Sequence, residues 1–154
     1  MKYYFKPDAL VIIISLIVIV TMAMTITIIP WTSFGSIILY ILIVGFLIYG
    51  LAVMPIWVKI DDKKIRVQQL IGSKDFEKKD IEIVSLTKSD LSGSIRVFGS
   101  GGYGGYTGWF RNKILGKYFM LVVNTKEIAL IKTKKGKQIV INFPKSLEND
   151  LQNN

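Results

Sequence analysis

Residues 99–104 read Gly-Ser-Gly-Gly-Tyr-Gly and satisfy the G-x-G-x-x-G pattern that, set between a strand and a helix, brings backbone amides close to a dinucleotide pyrophosphate. The context does not suit that chemistry. A strand-like run precedes the glycines, but the aromatic stretch Tyr106–Phe110 follows where a helix is required. The phosphate-loop pattern fails as well, because Gly105 stands where a lysine is needed. Asp61-Asp62 reads as a hairpin turn and not as an acid/base pair. The absence of Cys and His removes thiol nucleophiles, disulfides, zinc-finger ligands and the usual neutral-pH base. The scattered carboxylates lack calcium-loop spacing. No catalytic, cofactor or metal-binding residue is assigned, and an enzyme is not expected.

Two features remain that could bind something. Six glycines within residues 99–108 permit positive φ and close backbone approach, and Tyr103, Tyr106, Trp109 and Phe110 are interleaved with them or follow. The segment reads either as a long loop packed by its own aromatics or as a recognition loop for protein or lipid headgroups. The second feature is three basic clusters: Lys59/Lys63/Lys64/Arg66, Arg111/Lys113/Lys117 and Lys132/Lys134/Lys135/Lys137. Near an anionic leaflet each such side chain contributes about 1 kcal/mol within a Debye length. Candidate contacts for lipid or a partner are therefore Lys59, Lys63, Lys64, Arg66, Tyr103, Tyr106, Trp109, Arg111, Lys113, Lys117, Lys134 and Lys135. No nucleic-acid motif accompanies the scattered charge, so nucleic acid is not expected.

The elements that hold these residues are of two kinds. Residues 9–58 are fifty consecutive positions without a charged side chain, whereas residues 59–154 carry 18 Lys and Arg against 10 Asp and Glu, a surplus of eight in a total of +9. The segments 9–29 and 34–54 each suffice to cross a hydrocarbon core of about 30 Å. Between them Pro30-Trp31-Thr32-Ser33 breaks the helix, and Tyr3, Tyr4, Phe5 and Trp57 flank the pair as interfacial aromatics. A signal peptide fits less well, because the first apolar stretch is too long, no clean small-x-small cleavage site follows, and a second span comes directly after. The hairpin loop has no Lys or Arg, while Lys2 and Lys6 precede the spans and Lys59, Lys63, Lys64 and Arg66 follow. That bias places residues 1–8 and the domain from residue 55 onward in the cytoplasm, on a bacterial inner membrane. It also puts the first basic cluster near the bilayer. The spans hold no ionisable residue, which argues for an anchor over a transport pathway.

From Pro55 onward short apolar/polar alternations separated by turn residues replace helical periodicity. Seven strand-like runs are read: 56–60, 64–70, 81–86, 94–98, 119–123, 128–132 and 138–142, with a brief extended piece at Phe76. They suggest an antiparallel barrel or sandwich. Pro144, with Leu147 and Leu151 at i, i+4, predicts a short C-terminal helix capping the barrel.

The run FGSGGYGGYTGWF at 98–110, the RNK at 111–113, the LGKY at 115–118 and the ALIKTKKGK at 129–137 resemble the bacterial pleckstrin-homology-like (PH-like) domain family, in its membrane-anchored form. The resemblance spans roughly residues 55–151. It implies a bent, seven-stranded barrel capped by a C-terminal helix, placed behind transmembrane helices, with no known catalytic activity. Lys59 with Lys64-x-Arg66 is loosely similar to the phosphoinositide motif of eukaryotic PH domains, although Asp61 and Asp62 interrupt it. The expected function is a membrane-anchored, non-catalytic binding or scaffold module that contacts anionic headgroups or protein, including copies of itself. The alternative is an accessory subunit of a larger membrane transport complex, bound through the hairpin at Gly45 or Gly50.

Overall fold

The computed structural model of the chain describes residues 1–30 and 32–147. Two helices come first, α1 (Ala9–Ile28) and α2 (Phe34–Ala52). At 1.5 Å per residue each is about 28–30 Å long, enough to cross a bilayer core. Their most apolar windows are only 6% and 22% buried, so these are not the core helices of a soluble protein. Pro30 ends the first helix, and a reciprocal Ser33–Ser36 capping box starts the second. The threonine hydroxyls of the helices are satisfied internally, as hydrocarbon would demand. Thr21, Thr25 and Thr27 donate to carbonyls of their own helix at 2.8–3.0 Å. Tyr40 is buried and reaches across to the carbonyls of Ile26 and Ile29, tying the far ends of the two helices together.

The rest is β structure in two sheets. The first contains β1 (Lys2–Tyr4), β2 (Pro55–Ile60), β3 (Lys64–Gln69) and β4 (Ser73–Glu77), all antiparallel and in chain order. The second contains β5 (Ile81–Leu86), β6 (Ile95–Gly101), β7 (Tyr106–Asn112), β8 (Gly116–Val122), β9 (Ile128–Thr133) and β10 (Gln138–Asn142), in the order β5-β9-β10-β8-β7-β6. Among the described residues ten strands replace the expected seven. β1 lay hidden in the aromatic flank of the first span, the extended piece at Phe76 is a full strand, and β7 lies inside the glycine-aromatic segment.

The expected closed barrel is also corrected. A 3-10 turn at Lys78–Asp80 carries the chain from β4 into the other sheet, so the β4 and β5 ladders do not join. β10 inserts between β9 and β8, and because β9 and β10 form an antiparallel hairpin, β10 runs parallel to β8. The expected C-terminal helix is, within the described residues, one 3-10 turn at Lys145–Leu147. Leu151 lies outside the described residues.

The core follows the strand alternation. Val58, Ile65, Val67 and Phe76 of the first sheet meet Leu121, Ile131, Ile141 and Phe143, while Phe110, Tyr118, Met120, Leu130 and Val140 cluster with Leu86 and Leu91. Between the β8–β9 turn and the end of β10 sits a buried amide, Asn142, which is 2% exposed. It accepts from the Val123 amide at 2.8 Å and donates toward the carbonyls of Glu127 (2.9 Å) and Asn124 (3.1 Å). Leaving those groups unpaired costs about 1–3 kcal/mol apiece. Asn142→Ala is expected to lower the denaturant midpoint of the detergent-solubilised chain by an amount worth about 2 kcal/mol or more. An unchanged midpoint would show that the network carries no stability.

Candidate functional site

The glycine-aromatic segment is not a free loop. It folds into the β6–β7 hairpin, with Gly99 opposite Gly108 and a turn closed by the Gly102 amide donating to the Gly105 carbonyl at 3.0 Å. A Cβ on Gly99 or Gly108 would collide with the facing backbone, so glycine is what lets these strands pair.

The turn enters the notch between α1 and α2. Tyr103 is 5% exposed, donates its hydroxyl to the Leu47 carbonyl at 3.0 Å and stacks on Phe46 with ring centroids 5.8 Å apart. Gly50 makes room for the Tyr103 ring, since any Cβ there would overlap it. On the other side Ser15 accepts from the Gly104 amide at 3.0 Å, while its hydroxyl faces the carbonyls of Val11 (2.7 Å) and Gly102 (3.3 Å). Ser15 lies six residues into α1 and Leu47 five residues from the end of α2. At 1.5 Å per residue the tip is seated about 8–9 Å inside the helix pair.

Further bonds fix the same end of the domain. The Asp8 amide donates to Val123, and its carboxylate accepts from the Thr125 amide and hydroxyl at 2.9 and 3.1 Å. Asn124 donates to the Lys6 carbonyl at 3.0 Å, and Gln69 donates to the Val53 carbonyl at 2.8 Å. The amides of Leu70 and Ile71 bond the carbonyls of Met54 (3.0 Å) and Ala52 (2.9 Å).

The basic clusters sit at the other ends of the strands. β2 leaves α2 at Pro55 and reaches Ile60 five residues later, about 17 Å away at 3.3 Å per residue. This strand carries the first cluster away from the end of the span that it follows in sequence. Lys59 pairs with Asp61 at 3.1 Å. Arg66 forms a bidentate pair with Asp75 through two bonds of 2.7 Å, and Lys64 approaches the same carboxylate at 3.5 Å. The hydrogen bond from Arg66 holds the Asp75 carboxyl below the usual carboxylate range. That pairing is complete above the ordinary Asp range and is lost as pH falls through the depressed value. The pair is exposed and screened, so its weight in stability is small. Lys63 lines a cleft of about 760 Å³ with Asp61, Asp62, Glu77 and Lys79.

Arg111, Lys113 and Lys117 lie at the far end of the β7–β8 hairpin, with Arg111 opposite Lys117. Among the described residues neither Arg111 nor Lys113 has an ion pair. Lys117 lies 4.9 Å over the Trp109 ring, which meets Phe119 edge-on at 5.4 Å. Lys74 covers Phe119 at 3.8 Å, and burial lowers its pKa. Lys134 approaches Asp80 at 3.7 Å, and Lys135 occupies the β9–β10 turn.

The four aromatics of the glycine-rich segment therefore do not form one surface. Tyr103 enters the helix pair, Tyr106 and Phe110 pack on the core, and only Trp109 shows its ring beside the basic groups. Sequence reading missed Ser15, Phe46 and Leu47. The one signal for Ser15 was its place as the first hydroxyl in an apolar helix. Lys6, Lys126 and Lys145 were not among the candidate contacts either, and they line a cleft of about 560 Å³ beside the start of α1.

The bent strands and basic turns gain a family context from comparison with known proteins. Residues 57–150 match the bacterial PH domain family. The chain belongs to that family. No curated protein and no solved structure matched it. PH-like domains are in general non-catalytic binding modules, and membership of the family suggests a binding or scaffold module here. The match begins at Trp57, so α1, α2 and β1 lie outside the matched residues, and the Tyr103–Gly50 contact joins the PH domain to its anchor. Gly50 is thereby covered, whereas Gly45 faces open space.

Gly50→Val should expel Tyr103 from its notch. In hydrogen exchange of the detergent-solubilised chain, the amides of residues 102–105 should then exchange at least tenfold faster, a change of about 1.4 kcal/mol. Amides in β9 and β10 should be unaffected. Unchanged exchange at the tip would mean that the notch does not hold the hairpin.

Proposed function

We propose that this chain is a scaffold module of the bacterial inner membrane, its PH domain held rigidly on a two-span anchor at the cytoplasmic face, binding an acidic protein segment through the far ends of its strands. The observation that carries this reading is the seating of the β6–β7 tip between α1 and α2. With that end fixed, Arg111, Lys113 and Lys117 stand one strand length, about 20 Å, out from the tip. The tip is itself seated about 8–9 Å inside the helix pair, which leaves these groups about 11–12 Å beyond the helix ends, between one and two Debye lengths at physiological salt, so the pull of the module's own leaflet on them is screened.

The cytoplasmic placement rests on charge. The turn between the helices has no Lys or Arg, and the domain end carries nearly all of them. Lys64 and Arg66 are already paired with Asp75, so any anion at that cluster, phosphate or carboxylate, would first have to displace a bidentate carboxylate. Arg111 and Lys113 have no such competitor among the described residues.

The test uses the full chain in neutral-lipid nanodiscs with two probes, a glutamate-rich peptide and anionic vesicles. The peptide is expected to bind at low salt and to lose at least tenfold in affinity between low and physiological salt. Arg111→Glu, Lys113→Glu and Lys117→Glu combined should abolish that binding. Capture of anionic vesicles with no binding of the peptide would replace the protein reading with a lipid one.

A further inference from the structure

We propose that the anchor is wider than its two helices: two apolar groups, Val97 and Phe98 of β6 and Leu70 and Ile71 of the β3–β4 turn, are embedded in the lipid interface of the same bilayer. The inference rests on the reading that α1 and α2 span a membrane, and it adds a second surface of contact.

Depth is the first argument. The β6–β7 tip is seated about 8–9 Å inside the helix pair, and β6 leads away from it at about 3.3 Å per residue. Phe98 is four residues from Gly102. Even an upright strand therefore brings Phe98 no more than about 4–5 Å beyond the level of Ala9, within an interfacial layer about 5–8 Å thick. The β3–β4 turn is placed independently, because the Ile71 amide bonds the carbonyl of Ala52, the last residue of α2.

Exposure is the second argument. Phe98 is 72% exposed, Ile71 67%, Val97 58% and Leu70 57%. Both groups interrupt what water would favour: turns are normally polar, and exposed edge strands are normally guarded by charge. β6 is an edge of its sheet, and the register shift between Arg96 and Phe98 takes Val97 out of the regular ladder.

Charge supplies the third. The Arg96 side chain turns back along β6 toward the tip, with Nη1 2.8 Å from where a Cβ of Gly101 would lie. It has no ion pair among the described residues. An unpaired guanidinium beside two exposed apolar residues at headgroup depth matches a phospholipid, with phosphate for the arginine and acyl chain for the phenylalanine.

The chain has no cysteine, so single replacements can be spin-labelled without background. Phe98→Cys, Leu70→Cys and Ile71→Cys would be compared in nanodiscs with Ile17→Cys in mid-span and Asp62→Cys at the far β2–β3 turn. Collision with oxygen relative to a water-soluble nickel chelate reports depth. The ratio at all three sites is expected to lie between those at Ile17 and Asp62, at least about threefold above Asp62, as for sites just below the headgroups. An aqueous ratio at Phe98 and Ile71, with Ile17 deep, would overturn the inference and leave the membrane reading intact. An aqueous ratio at Ile17 would overturn both. Shielding of Phe98 from both reagents, with spin–spin coupling between chains, would show a second copy on this edge and would also overturn the proposal.

Discussion

A tyrosine ring in a glycine notch holds this molecule together as one object. Tyr103 occupies the space that any side chain at Gly50 would fill, and Ser15 meets the same turn from the opposite helix. Inside a bilayer a backbone turn cannot be left unpaired, because no water is present to satisfy its amides and carbonyls. Here the Gly104 amide is bonded by Ser15, the Gly102 amide by Gly105, and the Tyr103 carbonyl by the Ser100 hydroxyl at 2.6 Å. Irregular backbone is tolerated at that depth because the helices and the hairpin itself supply its partners.

The rest of the architecture follows from fixing that end. β2, β7 and β9 lead outward from it, β3, β8 and β10 return, and the turns at the far end collect the basic residues. The charges fall into two kinds there. Those of the first sheet are largely answered by their own acidic neighbours, as in the row Lys59, Arg66 and Asp75 across β2, β3 and β4. Those of the β7–β8 end have no ion pair among the described residues, and one of them, Lys117, rests on the Trp109 ring instead. A surplus of eight positive charges is thus not a uniform field, and what it can bind depends on which pairs are already made.

The anchored end is built on different principles. It is held by backbone and amide bonds, from Asp8 to Thr125, Asn124 to Lys6, and Leu70 and Ile71 to the last turn of α2. Such bonds link residues more than one hundred positions apart at one point and fewer than twenty at another. They also explain why residues 2–4 form a strand: β1 extends the first sheet, with Tyr4 opposite Trp57.

Much of this was legible without coordinates. The two spans, their polar turn and the absence of ionisable groups follow from composition alone, since hydrocarbon accepts only long uncharged helices. Alternation in β2 and β3 showed a sheet with one buried face, and the FGSGGYGGYTGWF run with the basic KTKKGK stretch pointed to the PH-like family. What the sequence could not disclose is decided by partners distant in the chain. Glycines in β6 and β7 mimic a loop because their pairing depends on close approach of two backbones and not on side-chain periodicity. A three-residue β1 has too little pattern to read, and a barrel differs from two sheets only in whether β4 and β5 join. Above all, adjacency to a span says where a residue begins and not where a strand carries it. Lys59 and Arg66 follow α2 closely in sequence, yet β2 takes them to the opposite end of the domain, while Gly102–Gly105, fifty residues beyond the end of α2, return to the helix pair.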